Sequence, residues 1–144
     1  VSPESIRDVY EEGIVLKHCI HTCDIYFQRM DIRETYLLFL RRTDKPDVPW
    51  YTLEIEPGGN IRQKKSVLNE AYKDLDNAMP FLKKWQQWVK KNLSAKDKKL
   101  AEKSDKARKD GYKQLREEKK LIWHGRLQGT LLADALENDF MEVV

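Results

Sequence analysis

The chain is poor in the residues that mark several protein classes: it has two cysteines, three histidines and six glycines in 144 residues. Cys19 and Cys23 are separated by three residues, too few and too close to staple a domain of this length. A disulfide scaffold is therefore excluded, and a reducing, cytoplasmic setting is expected. No apolar run approaches the roughly 18 residues needed to cross a bilayer, and the first residues lack a basic-then-apolar leader pattern, so no membrane association is expected. The glycines form no phosphate loop, because "EPGGN" lacks the following lysine and helix and reads as a turn. No nucleophile motif accompanies it.

Charged residues make up 35% of the chain and mean hydropathy is -0.74, yet 40% is apolar, with four Trp, six Tyr and four Phe. That balance gives a folded, soluble protein with one core. A single domain over 1–144 is expected, with a sheet-forming half at 1–64 and a helical half at 65–144. The first residue is Val1 and not Met, which fits a piece of a longer polypeptide. The net charge is +3, but it is unevenly spread. Between Lys83 and Lys120 there are 15 Lys and Arg against 6 Asp and Glu, which leaves 12 against 18 elsewhere. A basic segment is set in an acidic frame.

Residues 2–12 read as a helix, with Ser2 as N-cap, Pro3 in the first turn and Gly13 as the stop. Strands are then expected at 14–20, where Ile14, Leu16, His18 and Ile20 alternate with Val15, Lys17 and Cys19, and at 24–30. The run 35–42 is apolar on both faces, as for a central strand. In 50–56, Tyr51, Leu53 and Ile55 point inward and Thr52, Glu54 and Glu56 form a wet face. A tight turn at 57–60 leads to a short strand at 61–63. From Ser66 the spacing becomes helical, with Val67, Leu68, Ala71, Tyr72, Leu75, Ala78 and Met79 on one stripe. Phe81, Leu82, Trp85, Trp88, Val89 and Leu93 continue it beyond Pro80, either in a kinked extension or in a new helix capped by Asn77. Ser94, followed three residues later by Asp97, starts a weakly apolar helix whose burial candidates are Leu100, Ala101, Ala107, Tyr112 and Leu115. A small helix near 131–137 and an apolar tail follow. The expected class is α+β: an antiparallel sheet of four or five strands with the C-terminal helices packed on one face.

"LKHCI", Tyr26, "FLRR", "PWYTLEIE", "IRQKKSVLN" and "YKQLREEKKLIWHG", in that order, resemble the PcfJ-like proteins, and the resemblance spans most of the chain. The ordered set His18, Cys19, Tyr26, Arg41, Thr52, Glu54, Gln63 and Asn69 carries it best. The resemblance implies an association with conjugative plasmids and related mobile elements, and implies no settled biochemical activity. "IHTCD" departs from the small or hydroxyl residues expected before the Tyr, so His21 and Cys23 read as features of this member.

Three groups of residues invite a chemical reading. Cys19, His21 and Cys23 can approach a metal only if the chain turns at 20–22, with His124 as a distant fourth ligand. Zinc needs tetrahedral convergence and this spacing lacks a paired-cysteine knuckle, so no metal and no cofactor are expected. His18, Tyr26, Glu54 and Gln63, on separate elements, can meet on one sheet face as a general acid and base cluster. Their plainer reading is a satisfied His18–Glu54 pair on a wet hairpin. The His, Tyr, Glu order also resembles ADP-ribosyltransferases, although the spacing is tighter. Lys83, Lys84, Lys90, Lys91, Lys96, Lys98, Lys99, Lys103, Lys106, Arg108 and Lys109 can line a nucleic-acid backbone, with Trp85 or Trp88 stacking if exposed. Otherwise they form a solvated face held by i,i+4 pairs, with both Trp on the apolar stripe.

The leading expectation is a noncatalytic accessory protein of a mobile element, binding nucleic acid or a protein partner through its Lys-rich helices. Its alternatives are an enzyme built on His18, Tyr26, Glu54 and Gln63, or an interaction module that blocks a host defence complex. Nothing in the sequence sets the oligomeric state.

Overall fold

Ser5, and not Ser2, starts the first helix: its side chain accepts from the Asp8 amide while Asp8 accepts from the Ser5 amide, a reciprocal capping box. The computed structural model describes residues 1–144 apart from the side chain of His21. Helix α1 (Ile6–Leu16) passes through Gly13 and ends at Lys17, whose φ of 54° is left-handed. Val9, Glu12, Gly13 and Leu16 are its buried residues, spaced i, i+3, i+4, i+7. The alternation seen from Ile14 is thus the end of a helix, and no strand forms at 14–20. A 3-10 turn (Ile20–Thr22) leads to α2 (Asp24–Asp31) where a second strand was expected. Tyr26 is buried there, with Phe27 and Met30 packed beside it at helical spacing.

Among the described residues the sheet has three strands, β1 (Tyr36–Leu40), β2 (Tyr51–Ile55) and β3 (Ile61–Lys65), in the order β1-β2-β3 and antiparallel throughout. Four or five were expected; the shortfall is the first two segments, which are helical. The run at 35–42 is an edge strand, and β2 is central. Register pairs Leu38 with Leu53 and Leu40 with Tyr51 on one face, and Leu37 with Glu54 and Phe39 with Thr52 on the other.

Both faces of the sheet are covered, which corrects the expected one-sided packing. On the first face Leu40, Tyr51, Leu53, Ile55 and Ile61 pack with Leu75, Ala78 and Leu82. Leu82 belongs to α3 (Met79–Lys91), which follows a 3-10 segment (Lys73–Ala78). On the second face Leu37 and Phe39 pack with Val9, Ile20 and Tyr26. The long helix α4 (Ala95–Glu117) lies on this face, with Ser104 and Arg108 buried and the five expected apolar residues only half-buried. Its N-cap is Ser94, accepting from the Asp97 amide at 3.1 Å.

No continuous helix forms from Ser66. Leu68 and Asn69 adopt left-handed φ of 58° and 62°, which breaks the run, and of the expected stripe Leu75 and Ala78 are the fully buried members. Ala78, and not Asn77, is the N-cap of α3, with Pro80 tolerated in the first turn. The chain ends with α5 (Leu132–Asp139) and a tail in which Met141 exchanges two backbone hydrogen bonds with Ile61, covering the β3 edge. No helix among the described residues is long and apolar enough to cross a membrane.

The β2–β3 turn is where α3 and the tail meet. Gly59 has φ of 96°, and a Cβ there would lie 3.2 Å from both Val89 and Val143. Gly59→Ala is expected to destabilise by about 2 kcal/mol through the strained backbone. A urea denaturation midpoint unchanged from wild type would contradict this.

Candidate functional site

Because side chains alternate along a strand, Thr52, Glu54 and Glu56 share one face of the central strand. They are 0%, 0% and 2% exposed. The expected wet face is therefore a buried polar layer under α2 and α4. An ionised carboxylate is stable in such a place only when its oxygens are occupied by matched donors. Glu54 accepts two hydrogen bonds from Arg29 Nη1 at 3.0 and 3.1 Å, one from Thr35 Oγ1 at 2.8 Å and one from Gln63 Nε2 at 3.1 Å. Glu56 accepts from Arg62 Nε at 2.7 Å, from Arg108 Nη1 at 2.5 and 2.6 Å, and from Asn60 Nδ2 at 2.9 Å.

A local irregularity in β3 makes this convergence feasible. Glu54 pairs with Gln63 and Ile55 with Ile61, so Arg62 is an extra residue in the ladder. That bulge lets two sequence neighbours, Arg62 and Gln63, both address the polar face. Arg62 Nη2 also donates to the Ser104 carbonyl at 2.9 Å and its hydroxyl at 3.1 Å, and Arg62 Nη1 to Glu34 at 2.9 Å. Ser104 Oγ donates in turn to the Glu34 carbonyl at 2.7 Å. Arg29, Arg62, Arg108, Glu34, Glu54 and Glu56 thus form one buried network across α2, β2, β3 and α4.

Three of the four residues of the enzyme reading come together: Tyr26 Oη donates to Gln63 Oε1 at 3.1 Å, and Gln63 donates to Glu54. His18 does not join them. Its Nε2 lies 2.8 Å from Thr52 Oγ1, one same-face position along β2, and the expected His18–Glu54 pair is not formed. Glu54 takes four hydrogen bonds from three donor atoms, so both of its oxygens are occupied. Burial, then the charge of Glu54, pushes the Tyr26 phenol above its ordinary value, so it stays protonated. A cleft of about 290 Å³ opens over Arg29, Glu54 and Gln63 between α2 and α4. Its floor holds charges already paired with one another.

Most of the residues that carry the family resemblance turn out to be each other's partners, and Arg41 pairs instead with Glu12. Besides His18 with Thr52 and Tyr26 with Gln63 and Glu54, the Cys19 amide donates to Asn69 Oδ1 at 2.8 Å, and Arg41 makes a fork to Glu12 at 2.7 and 2.6 Å. Cys19 and Cys23 are free, half-buried thiols, and burial pushes Cys23 up. The side chain of His21 lies outside the described residues. Among the described residues no group of three or more His, Cys, Asp or Glu is placed to hold a metal.

The basic helices divide into two patches. All ten lysines of the expected set are exposed, but Arg108 is buried on Glu56 and also paired with Asp105, so it is withdrawn from any solvent-facing role. Helix α3 carries Lys83, Lys84, Lys90 and Lys91 and no carboxylate. At 100° per residue these four fall within a sector of about 120°. Trp88 and Phe81 lie together beyond one edge of that sector, exposed by 63% and 60%. Trp88 is thus off the apolar stripe, while Trp85 is half-buried against the core. Among the described residues none of the four lysines has a carboxylate within ion-pair distance. On α4 the lysines alternate with Glu102, Asp105 and Asp110, and Lys106 and Lys109 are paired with Asp110 and Asp105 at 3.4 and 2.8 Å. The two helices cover opposite faces of the sheet, so their lysines diverge from the junction at 92–94 and do not build one ridge. The signal for α3 was in the sequence: from 79 to 91 there are four lysines and no acid.

Fold and site together describe a small α+β protein with a buried ionic layer and an unpaired basic helix. The chain belongs to the PcfJ-like protein family, whose model matches residues 1–79. The match takes in the sheet and most of the ionic layer and ends where α3 begins. No curated protein and no solved structure matches the chain.

Glu54→Ala leaves the Arg29 guanidinium without its main carboxylate and is expected to cost about 3 kcal/mol in chemical denaturation; a loss under about 1 kcal/mol would show the layer to be dispensable. A buried phenol with a raised pKa holds its proton more tightly folded than unfolded. Stability from Tyr26 is therefore complete below its ordinary value of 10 and is lost as pH rises toward its folded value. Absorbance titration of tyrosinate should show a late fraction that ionises only with unfolding, smaller by one tyrosine in Tyr26→Phe, with the buried Tyr51, whose phenol is also raised, remaining in it. Ionisation of all six tyrosines in one early step would contradict its burial.

Proposed function

We propose that this PcfJ-like protein is a noncatalytic, cytoplasmic accessory protein of a conjugation-associated mobile element, and that it binds nucleic acid through the outer face of α3. The observation that carries the reading is the composition of that face: Lys83, Lys84, Lys90 and Lys91 without a competing carboxylate, beside exposed Trp88 and Phe81. Clustered, unpaired ammonium groups release counterions from a phosphate backbone, and exposed aromatic rings stack on bases without regard to sequence. The mobile-element setting comes with the family resemblance. A noncatalytic role is supported by the hydrogen bonds that occupy both oxygens of Glu54 and by a Tyr26 phenol that stays protonated.

The α4 lysines are the weaker candidates, because acids lie among them and screen their field. A protein partner for the basic face is the competing outcome. The test is the salt dependence of affinity for a generic single strand. Four phosphate contacts give a slope of log K against log salt near -3, at about 0.7 per contact. Replacing Lys83, Lys84, Lys90 and Lys91 together by Ala should flatten that slope by about 3, whereas replacing Lys98, Lys99 and Lys103 should change it far less. Equal slopes for wild type and the α3 variant would overturn the reading and leave the protein-partner outcome in its place.

A further inference from the structure

Next to the basic face lies a cavity of about 390 Å³, lined in part by Phe81 of α3, Trp50, Arg42, Thr43 and Asn77. Its volume falls in the range of sites that take one small planar ligand. The walls combine three chemistries. Phe81 offers an aromatic ring that is 60% exposed. Arg42 sets its guanidinium 5.7 Å from the centre of the Trp50 ring, a flat cationic surface at the mouth, and its only pairing among the described residues is a loose one to Asp44, with both side chains more than half exposed. Asn77 and Thr43 bring side-chain groups able both to donate and to accept. Asp44 and Asp74 also line the cavity: Asp44 is the exposed partner of Arg42, and the two oxygens of Asp74 are taken by Trp50 Nε1 and Tyr51 Oη at 2.8 Å each. Trp50 is thereby fixed, so the wall it presents is rigid.

Phe81 joins this cavity to the lysines. Lys84 is three residues on and Trp88 seven, so the three share one side of α3, with about 10 Å between Phe81 and Trp88 along the axis. A phosphate chain lying over Lys83, Lys84, Lys90 and Lys91 passes the cavity mouth, where Arg42 continues the positive charge. The cleft over Glu54 offers no such match, since its arginines and glutamates neutralise one another.

We propose that this cavity receives one unpaired nucleobase, stacked on Phe81, with its edge toward Asn77 and Thr43 and its phosphate toward Arg42, so that the nucleic acid bound by α3 is single-stranded. This rests on the α3 reading above and adds to it a strand preference and a base pocket. A base held in a duplex is stacked between its neighbours and presents only its edge; a single strand can turn one base into a pocket.

The experiment compares three labelled ligands by fluorescence anisotropy at one low salt concentration: an oligothymidine, the same backbone made abasic throughout, and a duplex. Wild type should bind the oligothymidine about tenfold more tightly than either of the others, the size of one stacked base. Phe81→Ala should remove most of that gap while keeping the salt slope set by the lysines. Thermal melting of the variant verifies that it is folded, as expected for so exposed a side chain. Equal affinity for oligothymidine and abasic strand would overturn the pocket, as would a gap that survives Phe81→Ala and disappears in Trp88→Ala. Either result leaves phosphate binding by α3 standing. No binding of any of the three at low salt overturns both proposals.

Discussion

Two carboxylates on the central strand, Glu54 and Glu56, constrain everything around them. A charge removed from water must be met by opposite charge and by donors, or the fold that buries it is lost. Arg29 has to come from α2, Arg62 from β3 and Arg108 from α4. The β3 bulge, the entry of β1 at Thr35 and the seat of α4 at Ser104 all follow from that demand. Arg108 extends it to the carboxyl terminus, with its guanidinium 4.0 Å from the centre of the Phe140 ring. Helix α4 has too few apolar residues to be held by burial alone, and its place on the sheet depends on this ionic anchor.

The same arrangement separates structure from candidate function. The ionic layer uses up the charges of the second face, so the cleft there is internally neutral. On the first face α3 is held by Leu82 and, in part, by Trp85. Nothing on the sheet needs its lysines, and they remain in solvent. Helices of similar composition therefore have different availability. Arg108 of α4 is held inside, while the lysines of α3 face outward with two aromatic rings beside them.

How far this was legible in the sequence depends on which force set each element. The hairpin at 51–65 was plain, because a strict alternation and a Pro-Gly-Gly-Asn turn leave little else to form. The capped start of α4 at Ser94 was equally plain. The first helix was legible, but its bounds and the two segments after it were misread, because α1 buries Glu12 and Gly13 on its core face and runs past the glycine, while Ile14 to Ile20 alternate across a helix end and a 3-10 turn. The segment from Ser66 had helical spacing, but the left-handed backbone at Leu68 and Asn69 cut it. That Glu54 and Gln63 can share one sheet face was legible from the alternation of their strands. Their burial was not, because it depends on arginines 25 and more residues away in sequence, and a period-2 pattern of Thr and Glu reads the same whether water or guanidinium faces it.

The most direct test of the ionic anchor is a double-mutant cycle on Glu56 and Arg108, using Glu56→Gln, Arg108→Met and the pair, each followed by urea denaturation. If Arg108 seats α4 by neutralising Glu56, each single change costs about 3 kcal/mol and the double variant falls short of their sum by about 2 kcal/mol or more. Strictly additive losses of under about 1 kcal/mol each would contradict it and leave α4 held by its half-buried apolar residues.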